Sequence, residues 1–289
     1  MLVRGGMIGL AIGDAMGAPL EGLPAPHSAI ILMSSGGPRN HPKGYITDDT
    51  SQALAIAKSL ISCRGFIPDD IVHRLIECYV EMPSLYGPTS RKAFEYILEG
   101  LNPYYAAFLV HIIKKGSRSN GSVMRGAPLG VFYSHPSIVR EISILCSQLT
   151  HYDLLAAECS SFINIMVGSM CRGSTRHEAF TIATRFCRND EVQQMLGSYW
   201  RFKPVSDIDA LLTTHSALSV FLTAQSFEEA IIRAVNYGGD ADTVGAVCGA
   251  LSGAYWGIGN VPNSWLKDLN NHEDILRIAH QLWTVSENQ

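Results

Sequence analysis

The most constraining stretch in the chain is Gly245, Ala246, Gly249, Ala250, Ser252 and Gly253, a run of small residues in an otherwise helical apolar pattern. A helix so lined can pack closely against neighbours on several sides, which places its N-terminus inside the protein. That N-terminus is Gly238-Gly239-Asp240-Ala241-Asp242-Thr243, two carboxylates and a hydroxyl entering a core helix.

Helical signals dominate the rest. Ile71, Leu75, Cys78 and Tyr79 follow i, i+4, i+7, i+8 behind Pro68-Asp69-Asp70. Pro88 opens a helix that runs to Glu99 and stops at Gly100, and Pro136 opens one that reaches Leu149. Asp153 to Met170 is long and apolar, a central helix. Ser226 to Glu229 has the S-x-x-E form of a capping box, and Asn271 to Trp283 gives a last amphipathic stretch. Ala29 to Met33 is the one short strand candidate, without a clear partner. No linker or composition shift divides the chain, so residues 1–289 read as one nearly all-α domain.

Composition excludes several classes. Of 289 residues 47% are hydrophobic and 17% charged, which suits a packed core rather than disorder. The charge is −4 with no Lys/Arg block, so neither nucleic acid nor an anionic membrane is an expected partner. No uninterrupted apolar run reaches the roughly 20 residues of a spanning helix. Met7 to Leu20 imitates a signal peptide behind Arg4, but Asp14 interrupts it, and it reads as a packed internal helix. Seven cysteines without a CxxC read as reduced thiols. The expectation is a cytoplasmic monomer.

A second acidic helix start, Thr47-Asp48-Asp49-Thr50, precedes Ala53, Leu54, Ala57 and Leu60. Capping accounts for either segment alone. A cap needs one acceptor, however, and each segment supplies several. If the two starts converge, four carboxylates share a pocket and need counter-charge. An all-oxygen donor set favours Mg²⁺, Mn²⁺ or Ca²⁺ over zinc. Neighbouring residues point about 100° apart on a helix, so Asp48 and Asp49 can reach two different cations. Between the acidic segments, Gly116 to Gly121 is either an anion-binding loop of exposed backbone N–H groups or an ordinary polar loop. From the residues alone Asp14 reads as a buried structural acid, Glu21 as a surface acid and His151 as a capping or packing histidine. Tyr86, Tyr104, Tyr105 and Tyr255 are candidates for stacking on a base.

These segments, in this order, resemble the ADP-ribosylglycohydrolase family. Gly13-Asp14-Ala15-Met16-Gly17 with Glu21 resembles its GDAxG…E segment, and Tyr45 to Thr50 its YTDDT motif. Ser119 to Arg125 resembles its GNGxxMR loop, Thr150-His151 its TH pair, and Gly238 to Thr243 its GGDADT motif. The resemblance spans about residues 5 to 265. It implies an all-α fold, two Mg²⁺ or Mn²⁺ ions, and cleavage of the ribose C1″ linkage in ADP-ribosylated protein or a small ADP-ribose conjugate. It further implies Thr47, Asp48, Asp49, Asp240, Asp242 and Thr243 as metal ligands. Glu21 and Asp240 would be the acid–base groups, and Ser117, Asn120, Gly121, Ser122 and His151 would bind substrate. Ser119 stands where the family often has Gly. Leu85-Tyr86-Gly87 stands where some members carry an acid, so an arginine linkage is not implied. The alternatives are a module that binds ADP-ribose without turnover, a structural protein on the same fold, or a two-metal phosphohydrolase.

Overall fold

A computed structural model describes residues 2–287. Among the described residues there are fifteen α-helices. The first five are α1 (Leu2–Gly17), α2 (Asp48–Cys63), α3 (Pro68–Glu81), α4 (Pro88–Leu98) and α5 (Pro103–Lys114). Next come α6 (Ala127–Phe132), α7 (Pro136–Ser147), α8 (Leu154–Cys171), α9 (Arg176–Phe186) and α10 (Asp190–Gly197). The last are α11 (Ala210–Thr223), α12 (Phe227–Val235), α13 (Ala241–Trp256), α14 (Asn263–Asp268) and α15 (His272–Ser286). Among the described residues there is no strand, only isolated bridges at Gly36–His41 and Ser119–Asp209. The fold is all-α.

Local chemistry sets most helix starts. Pro68, Pro88, Pro103 and Pro136 occupy the first turn, where a missing N–H costs nothing. Asn102, Asp153, Asn189 and Asp209 cap the helices that follow them through their side-chain oxygens. At Ser226 only half the expected box forms. Its hydroxyl accepts from the Glu229 N–H at 3.1 Å, but the Glu229 carboxylate takes the Gln225 N–H. A complete capping box stands instead at Thr175 and Glu178.

The central feature is the pairing of α1 with α13. Gly5, Gly9 and Gly13 face Gly253, Gly249 and Gly245 in antiparallel register, backbone against backbone, and Gly17 faces Ala241. Each Cβ added there would fall 2.4 Å or less from an opposing carbonyl oxygen. Apolar side chains of both helices fill the space on either side, so both are buried almost throughout. The signal-like stretch is thus an internal helix. A second close crossing brings Gly130 of α6 onto Gly168 of α8. Helix α8 is long and apolar enough to cross a membrane, but 89% of it is buried inside this fold.

The run Ala29 to Met33 is a loop, not a strand. The Asn236 side chain supplies what a partner strand would, accepting the Ile30 N–H at 2.7 Å and donating to its carbonyl at 2.8 Å. One amide can satisfy only one residue in this way, and Ile31 and Leu32 stay exposed.

Candidate active site

Asp14 fixes where α2 begins. It is fully buried near the end of α1 and accepts the Thr47 N–H at 3.0 Å, the Thr50 N–H at 3.1 Å and the Thr50 hydroxyl. A helix start leaves N–H groups unpaired, and a carboxylate from another helix satisfies them here. Since α1 is locked onto α13, the start of α2 comes to lie beside the start of α13. The Gly238-Gly239 turn that leads into α13 has φ of +68° and +60°, the left-handed region that glycine adopts without strain.

The two starts open on one cleft of ≈ 540 Å³. Its lining includes Glu21, Asp48, Asp49, Asp240, Asp242 and Thr243, together with Ser117, Asn120, Gly121 and His151. Thr47 and Ser122 are buried but do not line it. The Thr47 hydroxyl caps α2 by accepting the Asp49 N–H at 3.3 Å, and the Ser122 hydroxyl has no partner. Ser117 is partly committed elsewhere, since its hydroxyl bonds His111 Nδ1 and accepts the Asp153 N–H.

The acids crowd one another. Carboxylate oxygens of Glu21, Asp240 and Asp242 lie within 4.8 Å of each other. Burial, with Asp14 and Glu21 adding repulsion, pushes Asp48 up to about 8. Burial and the neighbouring aspartates push Asp49 and Asp242 well above the usual carboxylate range. Burial raises Asp240 to about 6 and raises Glu21 as well, against the pull of Arg39. Arg39 pairs with Glu21 at 2.9 Å. Asp49 Oδ2 and Glu21 Oε2 are buried without a hydrogen-bond partner. Partnerless buried oxygens inside a cluster of like charge, with only oxygen donors around them, suit hard divalent cations.

Other parts of the wall carry the opposite charge. Segments 87–91 and 114–118 contribute Arg91, Lys114 and Arg118. The backbone of loop 118–120 is held by the residues that lead into α11, with Asn120 N–H on the Ile208 carbonyl at 2.9 Å and Ala210 N–H on the Arg118 carbonyl at 2.7 Å. The Asn120 amide donates to Asp240 and to the Thr213 hydroxyl. His151 is neutral at ordinary pH, because burial, with Arg125 and Lys114 nearby, pulls it down to about 3. A Cβ on Gly121 would come within 2.7 Å of the His151 ring, so glycine lets the imidazole sit against the loop.

Four participants carried no role in the sequence reading: Arg39, Gln52, Lys114 and Arg125. Arg125 stood inside a motif, yet nothing in a lone arginine announces burial to 1% exposure. Of the tyrosines, Tyr86 lines the cleft, with its hydroxyl buried and unpartnered. Tyr105 is exposed, and Tyr255 packs on Phe221 and Trp256.

Fold and site together define an all-helical protein that opens an acidic cleft between two helices distant in sequence. Residues 2–289 match the ADP-ribosylglycohydrolase family model, and the chain belongs to that family. It is 29% identical to the ADP-ribosylarginine hydrolase of Serratia proteamaculans, over 98% of this chain and 79% of the relative. It is also 29% identical to the ADP-ribosyl-[dinitrogen reductase] glycohydrolase of Rhodospirillum rubrum, over 92% and 89% of the two chains. A solved ADP-ribosylglycohydrolase-related protein complex has a chain that superposes with a TM-score of 0.87 at 34% identity, covering 99% of this chain and 98% of that one.

Proposed function

We propose that the protein hydrolyses the ribose C1″ linkage of ADP-ribosylated protein side chains or small ADP-ribose conjugates, with two Mg²⁺ or Mn²⁺ ions in the acidic cleft. One observation carries the reading. In a chain of this family, the segments around 48, 240, 117–121 and 151 converge on a single cavity of ≈ 540 Å³. That volume suits a ligand of nucleotide-sugar size.

Asp48, Asp49, Asp240, Asp242 and Thr243 would hold the cations, with Thr47 at the start of α2 completing the set. When bound, the cations offset the carboxylate charge and act as Lewis acids that orient the distal ribose by its hydroxyls. The remaining work belongs to the chain. Gly121, with Ser117 and His151, would hold the diphosphate and its neighbouring sugar, on a loop that the Asn120 backbone ties in place. Glu21 and Asp240 move the protons. One carboxylate takes a proton from the incoming water, and the other carboxyl gives one to the leaving atom. A water oxygen bonds to C1″ as the bond to the acceptor breaks, so the products are ADP-ribose and the free acceptor. Burial raises the Glu21 carboxyl, which is not among the proposed cation ligands, and a raised value suits the group that gives up the proton. Developing positive charge at C1″ is stabilised by the carboxylates around it.

The test is release of ADP-ribose from arginine-, serine- and O-acetyl-linked substrates with Mg²⁺ or Mn²⁺, and again with chelator. Asp240→Asn should cut the rate by at least about 100-fold. Tight ADP-ribose binding with no turnover on any linkage would favour a binding module. Release of AMP instead of ADP-ribose would favour a phosphohydrolase.

A further inference from the structure

Behind the cleft runs an unbroken chain of buried hydrogen bonds. Gln52 Nε2 donates to Asp48 Oδ2 at 2.9 Å, and Gln52 Oε1 accepts from Arg125 Nη1 at 2.7 Å. Arg125 Nη2 donates to Thr150 Oγ1 at 2.7 Å. Thr150 Oγ1 lies 2.8 Å from His151 Nδ1, and His151 Nε2 lies 3.0 Å from Ser119 Oγ. Ser119 lines the cleft.

Arginine fixes the direction of every bond in this chain, because a guanidinium donates and never accepts. Toward α2, Gln52 must offer its oxygen to Arg125 and so turns its N–H₂ to Asp48. Toward the loop, Thr150 accepts from Arg125 and has one hydroxyl proton left. Among the described residues His151 Nδ1 is the remaining side-chain partner of that hydroxyl. Donation to Nδ1 gives the Thr150 hydroxyl proton a partner, and the opposite arrangement strands it. With Nδ1 accepting, the ring proton of a neutral imidazole sits on Nε2 and points at Ser119. The Ser119 oxygen is then an acceptor within the protein, and it makes no other side-chain bond among the described residues. Its own proton is free to face the cleft.

We propose that Ser119 is a ligand-binding residue, and that Arg125, acting through Thr150 and His151, positions its hydroxyl as a donor to an oxygen of the bound ligand. The ligand class is an oxyanion or sugar oxygen, and its identification with ADP-ribose rests on the activity proposed above. Arg125 and Thr150 touch no ligand and are positioning residues. A glycine at 119 would end the relay at the imidazole, so it is the serine that carries the relay to the cleft.

Nitrogen-15 correlation spectra of the histidine rings test the relay without any turnover. His151 should carry its proton on Nε2 in the wild type and in Thr150→Ser, and should lose that preference in Thr150→Val. Calorimetry with ADP-ribose tests the ligand contact. Ser119→Ala and Ser119→Gly should each weaken binding about tenfold, the worth of one neutral hydrogen bond, with an unchanged melting temperature. A wild-type His151 protonated on Nδ1 would overturn the relay whatever the activity. Unchanged affinity in Ser119→Ala would overturn the ligand contact. Wild-type protein with the Nε2 proton that takes up no ADP-ribose would sink the proposed activity while supporting the relay.

Discussion

A Cβ placed on Gly13 would lie 1.9 Å from the carbonyl oxygen of Gly245. The next residue along from Gly13 is Asp14, which sets the start of α2, and Gly245 stands one turn inside the helix that begins with Asp240 at its cap. Packing and chemistry therefore share one contact. Gly13→Ala should cost about 3 kcal/mol or more, since overpacking against backbone cannot be relieved by a rotamer change. Urea unfolding measures the loss. The same change to Gly65, where a Cβ would meet only the Tyr133 hydroxyl at 3.9 Å, is the control and should be nearly neutral.

Asp14→Asn tests whether the buried acid holds the start of α2. Two backbone N–H groups and a hydroxyl all meet Asp14 Oδ2, so an asparagine that keeps its oxygen there turns a buried N–H₂ toward the Thr47 N–H, which lies 3.2 Å from Oδ1. The variant should lose about 2–3 kcal/mol of stability, because a buried donor is left unpaired. Weaker protection of the 47–50 amides in hydrogen exchange would locate the damage. A variant as stable as the parent would contradict the assignment.

The proposed cation site is tested by the pH dependence of the crowded acids. Asp48 and Asp240, raised to about 8 and about 6, hold protons in the folded state that the unfolded chain has lost above roughly pH 4. Stability without metal therefore falls as pH rises through that window. A cation bound as proposed would displace those protons, so the effect of Mn²⁺ or Mg²⁺ on melting temperature should be small at pH 5 and large at pH 8. Binding should release protons, seen as a buffer-dependent heat in calorimetry. Equal stabilisation at both values would disconnect the cations from these carboxylates.

His151 behaves in the opposite sense. Its folded value of about 3 lies below the unfolded value near 6.5, so the unfolded chain binds the proton first. The stability His151 contributes is whole above pH 6.5 and is lost as pH falls toward 3. The acid side of the stability profile should be shallower in His151→Gln than in the parent between pH 6.5 and 4. Parallel profiles would place the acid sensitivity elsewhere, with His215, also lowered by burial, the next candidate.

The helices were legible because their punctuation is local. Pro68, Pro88 and Pro136 sit where a sequence reader expects them, and only boundaries moved, as where the last helix extends to Ser286 rather than Trp283. The two acidic starts were legible because the same short pattern occurs twice. What was not legible depends on partners far along the chain. The spacing of Gly5, Gly9 and Gly13 acquires meaning only against Gly245, Gly249 and Gly253. The Ala29 to Met33 run looked like a strand because its apolar composition was visible and the Asn236 amide that holds it was not. Thr47 was expected among the metal ligands, and the structure adds a local duty, the cap on α2. Arg39 and Gln52 carry no motif, and only proximity gives them a part.

The pairing of α1 with α13 has a consequence for biosynthesis. Helix α1 has its mate more than two hundred residues later in the chain, so its glycine face waits unburied while the residues between are made. Closing so distant a contact is slow, and it comes late. The acidic cleft therefore cannot close until the chain has passed Ala241, because Asp240 and Asp242 stand on either side of that point.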